Sequence, residues 1–247
     1  MKLYGLIGYP LSHSFSKKFF DGKFEKENIA DCQFQNFEIP QVQEILNIIQ
    51  QNPALQGFAI TIPHKQTILP WLHKTTNAVQ QMQACNCVKI VNQQLIGFNT
   101  DVVGFEKSFA PKLQPHHTKA LVLGTGGAAQ AVLYTLQKLN IAYTIVSRNA
   151  GPNILSYNQL SKNILEQHTV IINCTPLGTY PKIEDCPNIP YQYLTPQHYL
   201  FDLVYNPPKT KFLALGEAQG ATIKNGMDML TIQAEENWKI WNEDLGL

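Results

Sequence analysis

Charge is what this sequence has least of. Asp, Glu, Lys and Arg make up only 15% of its 247 residues, against roughly 25% in an average soluble domain. The polar surface falls instead to 22 Gln and 19 Asn. The 19 basic and 18 acidic side chains leave a formal net charge of +1, so no field of either sign draws in nucleic acid or an anionic membrane. Long apolar runs are missing too: none approaches the ~20 residues a membrane helix needs. The opening Met1-Lys2-Leu3-Tyr4-Gly5-Leu6-Ile7-Gly8 is interrupted too soon for a signal peptide. Five cysteines (Cys32, Cys85, Cys87, Cys174 and Cys186) are odd in number and lack CxxC spacing, which disfavours a disulfide scaffold or a zinc module. The expectation is a globular protein of the cytoplasm.

What is present is ample core. Hydrophobic residues reach 44%, with 12 Phe, 10 Tyr and 3 Trp, enough for one large domain or two small ones. Short β-rich runs alternate with helical patterns. Leu3 to Gly8 reads as a strand and Ser14 to Glu27 as a helix with recurring Phe. Gln33 to Ile39 alternates like a strand, and Val42 to Ile49 carries a helix-period stripe. Phe58 to Ile62 reads as a strand running into Pro63-His64-Lys65. Cys85 to Val91 and Leu95 to Phe98 read as two strands joined by the polar turn Asn92-Gln93-Gln94.

A Pro-containing polar stretch around Pro111 to His117 then leads into strands at Ala120 to Leu123, Ala142 to Val146, Val170 to Ile172 and Leu200 to Val204. An apolar-periodic helix at Met229 to Leu245 ends the chain. Strands and helices at this spacing indicate parallel sheets with helices on both faces. The expected class is α/β, in two units divided near residues 100 to 115.

Gly124-Thr125-Gly126-Gly127-Ala128-Ala129 sits between a strand and a helix, where a dinucleotide fingerprint belongs. The first glycine permits a tight turn and the second a close approach of backbone to pyrophosphate. The small third residue, Ala129, lets helix and strand pack closely, with the helix N-terminus facing the phosphates. After the second strand stands Ser147-Arg148-Asn149. NAD-binding folds usually carry an acid there for the ribose 2′-hydroxyl, whereas an arginine suits a 2′-phosphate. The expected cofactor is NADP.

Four polar motifs punctuate the first hundred residues: Ser12-His13-Ser14-Phe15-Ser16, Thr61-Ile62-Pro63-His64-Lys65, Asn86, and Asn99-Thr100-Asp101. Each alone reads as a cap, a turn former or a solvated lysine. Together with the glycine turn and Asn225-Gly226-Met227-Asp228-Met229-Leu230…Gln233, in this order and nearly end to end, they resemble the shikimate dehydrogenase family. That resemblance implies a substrate domain (1–101, with the helix 229–247 returning to it) and a Rossmann-type doubly wound NADP-binding domain (102–228). It implies reversible reduction of 3-dehydroshikimate to shikimate with NADPH, by a monomer or homodimer.

Residue by residue, the resemblance gives Ser14 and Ser16 the substrate carboxylate. It gives Thr61, Asn86 and Gln233 the ring hydroxyls, with Tyr205 beside the substrate. Lys65 and Asp101 become the catalytic pair. Gly124, Gly126, Gly127, Ala128, Ala129, Ser147 and Arg148 go to the cofactor, with Thr175 and Gly226 against its nicotinamide half. The chemistry suits them: hydride transfer needs a positioned proton donor or acceptor, and a half-buried lysine serves. A polyhydroxylated acid is best discriminated by many placed hydrogen-bonding groups.

Two departures stand out. Asn149-Ala150-Gly151-Pro152-Asn153 lacks the second basic residue common in the family after its arginine. Phe15 and Lys17-Lys18 replace the usual lysine and Ser-Pro arrangement. The competing readings are a quinate/shikimate dehydrogenase using NAD, and a non-catalytic NADP or metabolite sensor. The missing acid near Arg148 argues against the first, and the retention of both Lys65 and Asp101 against the second.

Overall fold

In the computed structural model, which describes residues 1–11 and 14–244, the chain divides into two units. One holds residues 1–100 and the described chain from Gln233 onward; the other holds Asp101–Ile232. Ser12 and His13 of the first serine motif, and residues 245–247, lie outside the described residues.

The first unit is built on β1 (Lys2–Gly8), α1 (Phe15–Lys26), β2 (Cys32–Glu38), α2 (Ile45–Gln51), β3 (Leu55–Ile60), α3 (His64–Thr67), β4 (Lys74–Thr75), α4 (Asn77–Met82), β5 (Cys87–Val91) and β6 (Gln94–Phe98). Its sheet runs β2-β1-β3-β5-β6-β4. Pairing is parallel through β2, β1 and β3, but β5 is antiparallel to both β3 and β6. This sheet is therefore mixed rather than wholly parallel. The reason is local: Asn92 and Gln93 both take positive φ, 49° and 64°, and so short a turn can join only a hairpin.

Alternation along β1 sorts the core into two layers. Leu3 and Ile7 face one cluster with Ile45 and Val79, while Tyr4 and Leu6 face another with Phe20, Phe24 and Trp241. The last helix, α9 (Met227–Asn242), begins in the second unit and ends in the first. Its Trp241 stacks on Tyr4 with centroids 5.0 Å apart and donates from Nε1 to the Val88 carbonyl at 3.0 Å. A Cβ on Gly57 would lie 2.4 Å from the Trp241 ring, so the bare backbone there admits the indole.

The second unit holds α5 (Asp101–Phe109), β7 (Lys119–Leu123), α6 (Gly127–Lys138), β8 (Ala142–Ser147), β9 (Ile154–Ser156), α7 (Lys162–Gln167), β10 (Val170–Asn173), β11 (Tyr199–Asp202), α8 (Lys211–Ala218) and β12 (Thr222–Lys224). The sheet order is β12-β11-β10-β7-β8-β9, parallel throughout. Numbered from its own first strand, that is 6-5-4-1-2-3, the doubly wound dinucleotide-binding order. Alternate residues of β7 feed opposite layers: Ala120 and Val122 pack with Phe105 and Val132, Leu121 and Leu123 with Leu165 and Phe212. Both faces are covered, as an all-parallel sheet requires. Among the described residues no helix is long and apolar enough to cross a membrane.

Candidate functional site

In the first unit the polar motifs gather at the carboxyl ends of the parallel strands, where open α/β sheets bind ligands. Thr61 follows β3 and donates its N–H to the Ile7 carbonyl at 2.9 Å. A Cβ on Gly8 would lie 2.4 Å from the Thr61 methyl and 2.9 Å from Leu11, so glycine at the end of β1 lets these segments close up. The Cys85 N–H donates to the Lys65 carbonyl at 2.7 Å, and Ile60 N–H to the Asn86 carbonyl at 2.8 Å. Thr61, Lys65 and Asn86 thus share one strand end. Lys65 is half-buried.

Asn86 is fixed on both sides of its amide. Its Oδ1 accepts from Thr100 N–H at 2.7 Å and its Nδ2 donates to Thr100 Oγ1 at 3.0 Å. The Thr100 hydroxyl donates onward to Asn237 Oδ1 at 2.7 Å. Asn237 lies one turn beyond Gln233 on α9, and its Nδ2 reaches Gln233 Oε1 at 3.4 Å. Asn237 escaped the sequence reading because it belongs to no motif, and Thr100, inside Asn99-Thr100-Asp101, was given no role of its own; both are buried, at 1% exposure each.

Ser14 precedes α1 as its N-cap residue but makes no side-chain cap bond. Its Oγ is buried without a hydrogen-bond partner among the described residues. A buried hydroxyl left unmatched costs about 1–3 kcal/mol, so an acceptor or donor from outside the chain would satisfy it. Ser16 follows on the first turn of α1, half-buried.

The second unit carries a cavity of about 340 Å³, lined by Gly124, Gly126, Ser147, Arg148, Tyr157, Cys174 and Thr175 among others. It sits at the switch point where β7 lies between β8 and β10. Gly124 has φ +104°, and a Cβ there would lie 3.0 Å from the Thr175 methyl; the turn itself demands this glycine. Gly126 differs. Its φ is −71°, and a Cβ on it or on Gly127 would meet nothing within 4 Å. Nothing inside the fold calls for bare backbone there, whereas a pyrophosphate laid on the α6 N-terminus would.

Ala129 is fully buried against the sheet, and Ala128 lies beside it in the first turn of α6. Arg148 is exposed, and its guanidinium forms no hydrogen bond or ion pair among the described residues. It is the only arginine of the chain, beside 18 lysines. The cavity therefore fits a dinucleotide bearing a 2′-phosphate: a bare-backbone cradle, a helix N-terminus and one uncommitted guanidinium.

Tyr157 and Cys174 are lining residues that the sequence reading missed. Tyr157 follows β9, a strand of three residues, too short for alternation to announce. Burial pushes its phenol up, with Cys174 adding to this and Arg148 working against it.

Three remaining candidates stand elsewhere. Asp101 opens α5 and is buried at 7% exposure. Tyr205 follows β11, its phenol pushed up by burial. Gly226 is not among the residues lining that cavity; a Cβ there would lie 2.2 Å from the Leu203 carbonyl oxygen, so backbone packing by itself already requires glycine at this position.

Residues 6–88 match the family model described as the shikimate dehydrogenase substrate binding domain. The chain is 35% identical to a shikimate dehydrogenase (NADP(+)) of Staphylococcus haemolyticus, over 96% of this chain and 91% of the relative. It is 32% identical to the enzyme of the same name from Caldicellulosiruptor saccharolyticus, over 100% and 94%. Its fold is similar to that of the shikimate 5-dehydrogenase of Thermus thermophilus, solved with NADP(H) and shikimate. That match has a TM-score of 0.85, with 25% identity over 100% of this chain and 94% of that one.

Proposed function

The chain belongs to the shikimate dehydrogenase family, and on that footing we propose how its residues serve an NADP-dependent oxidoreductase that interconverts 3-dehydroshikimate and shikimate. Bound NADPH supplies the hydride when the ketone is reduced. The chain's own residues do the rest. Lys65 holds the proton at the carbonyl oxygen and returns it as the alcohol forms, or withdraws it in the opposite direction. Asp101 orients and charges that exchange as the second member of the pair.

Ser14 and Ser16 take the carboxylate through their hydroxyls. Thr61, Asn86 and Gln233 bind the ring hydroxyls, with Tyr205 beside the substrate; Asn86 has a spare N–H and a spare lone pair beyond its bonds to Thr100. On the cofactor side, Gly124, Gly126, Gly127, Ala128 and Ala129 form the cradle and helix start. Ser147 and Arg148 hold the 2′-phosphate, and Thr175 and Gly226 border the nicotinamide half. Residues 1–101 with the last helix are the substrate domain and 102–228 the cofactor domain, in a cytoplasmic monomer or homodimer.

The observation that carries this reading is the switch-point cavity, with glycine where the fold does not need it and the sole arginine without a partner among the described residues. The test is absorbance at the nicotinamide band with shikimate as substrate, run with NADP and NAD in parallel. Reduction of NADP in preference to NAD is expected. Equal use of both would assign Arg148 to the surface and favour a quinate-type enzyme; binding without turnover would favour a sensor.

A further inference from the structure

Several buried polar groups of the second unit have no part in the reaction as described, and they converge on one carboxylate. Asn173 ends β10 and Asp202 ends β11 as register partners. Both are fully buried, as is Thr210 at the start of α8. Asp202 Oδ1 accepts from Asn173 Nδ2 at 2.9 Å and from Val204 N–H at 3.0 Å; its Oδ2 accepts from the Thr210 hydroxyl at 2.5 Å.

With its amide nitrogen held by Asp202, Asn173 must turn Oδ1 the other way. That oxygen accepts from Thr175 N–H at 3.0 Å and from the Thr175 hydroxyl at 2.6 Å. An N–H can only donate, so this orientation of the amide is forced. The Thr175 oxygen then accepts from Leu177 N–H at 3.3 Å. Its methyl is thereby left to abut Gly124, where a Cβ would be 3.0 Å away.

We propose that Asp202 is a positioning residue for the cofactor: through Asn173 it locks Thr175 against Gly124 and so sets the wall of the NADP cavity. The inference rests on reading that cavity as the NADP site. A hub serving structure alone would not need a charge here. Burial is the largest influence on the Asp202 carboxyl and pushes it up to about 6, against the three donors. The titratable groups that face it are the Cys174 thiol and the Tyr191 phenol, both pushed up by burial; among the described residues no cation offsets it. A carboxyl whose folded value is raised destabilises the fold as pH rises through that range, because the native state gives up its proton later than the unfolded chain. The ionised form accepts all three donors at once; the protonated form must turn one oxygen into a donor.

The experiment compares wild type with Asp202→Asn by direct NADP binding, steady-state kinetics and thermal unfolding. Asp202→Asn is expected to raise the Kd and KM for NADP by about tenfold, since it weakens the charge-assisted bonds that hold Asn173 and, through it, Thr175. The KM for shikimate should stay within about twofold, and Tm should not fall. The wild type should lose NADP affinity more steeply than the variant between pH 7.5 and 5.5. The 2′-phosphate titrates identically in both, so the difference reports Asp202.

Adding Asp202→Asn to Thr175→Val should cost no further NADP affinity, because the lock is already open. An unchanged KM for NADP overturns the proposal, as does a loss of Tm with both KM values moving together. If Asp202→Asn does not fold, Thr175→Val decides, since it removes the hydroxyl held by Asn173: NADP affinity equal to that of the wild type overturns the proposal. A wild type that fails to bind NADP overturns the underlying reading of the cavity, and this inference with it.

Discussion

Lys65, Ser14 and Arg148 each stand in a different relation to the fold, and their substitutions should separate accordingly. Lys65 is half-buried at a strand end and its backbone carbonyl ties it to Cys85. Lys65→Ala should therefore fold, lower kcat by roughly 10²- to 10⁴-fold and leave the KM for shikimate within about tenfold. Near-normal turnover across pH 6 to 10 would remove it from proton transfer. Ser14 Oγ has no partner among the described residues, so Ser14→Ala deletes no bond of the fold. Tm should hold or rise while the KM for shikimate climbs by about tenfold or more, since a bond to a charged group contributes about 1.5–3 kcal/mol. A defect confined to kcat would contradict a carboxylate-binding role. Arg148→Asp should weaken NADP strongly and leave NAD unaffected or improved, because a carboxylate repels a 2′-phosphate. Equal losses for both cofactors, read as kcat/KM, would show that Arg148 does not discriminate. Arg148 was legible in the sequence because a strand end and a glycine turn fix its distance. The bond from Thr100 to Asn237 that backs Asn86 was not: it spans 137 residues of chain, and no local pattern encodes that.

At the scale of the element, the turn from β7 into α6 makes two kinds of glycine. Gly124→Ala would force a side chain into φ +104° and against the Thr175 methyl, a strain of about 1–3 kcal/mol, so Tm should fall by several degrees. Gly126→Ala fits the backbone and meets nothing within 4 Å; Tm should be unchanged while NADP binding weakens. A pyrophosphate displaced at an expense of about 1.4 kcal/mol is already tenfold in Kd. If Gly126→Ala binds NADP as the wild type does, no ligand lies on that backbone. This turn could be read from sequence because strand, glycines and helix are contiguous. The same contiguity placed β1, α1, β5, β6, β10 and α9 within a few residues. Strands of two or three residues gave no alternation to read, which is why β4, β9 and β12 went unseen. Val42 to Ile49 splits into a 3-10 turn over Val42–Glu44 and then α2, where Glu44 closes back on Gln41 N–H at 3.0 Å. The strand expected to run to Ile62 stops at Ile60, and the chain turns so that His64 N–H meets the Thr61 carbonyl at 2.9 Å. That early stop places Thr61 and Lys65 beyond the carboxyl end of β3, an interior strand of the sheet.

For the molecule as a whole, low charge shifts the pH response onto a few buried groups, and they lie in the second unit. His117, His168 and His198 are all buried and lowered from their ordinary value, with burial the first cause in each. Their hydrogen bonds suit neutral rings. His117 Nδ1 accepts from Gln114 N–H at 2.9 Å, and His198 Nδ1 accepts from Thr195 N–H at 3.0 Å. A proton on either nitrogen would face a donor. The folded pKa lies below the unfolded value near 6.5, so the unfolded chain binds more protons as pH falls through 6.5, and stability falls with it. The stabilisation is complete above that value and is lost toward the lowered folded values. Asp202 has the opposite sign: with its folded value near 6 and an ordinary one near 4, it favours the fold as pH drops between them. The three imidazoles therefore lower stability as pH falls through 6.5, and one carboxyl partly offsets them as pH falls through about 6. Urea midpoints by far-UV circular dichroism should drop as pH is lowered from 7 to 6. His198→Gln, which can still donate to the Leu165 carbonyl met at 3.1 Å, should flatten that drop. A midpoint level between pH 7 and 6 would mean that these rings are not held neutral by the fold.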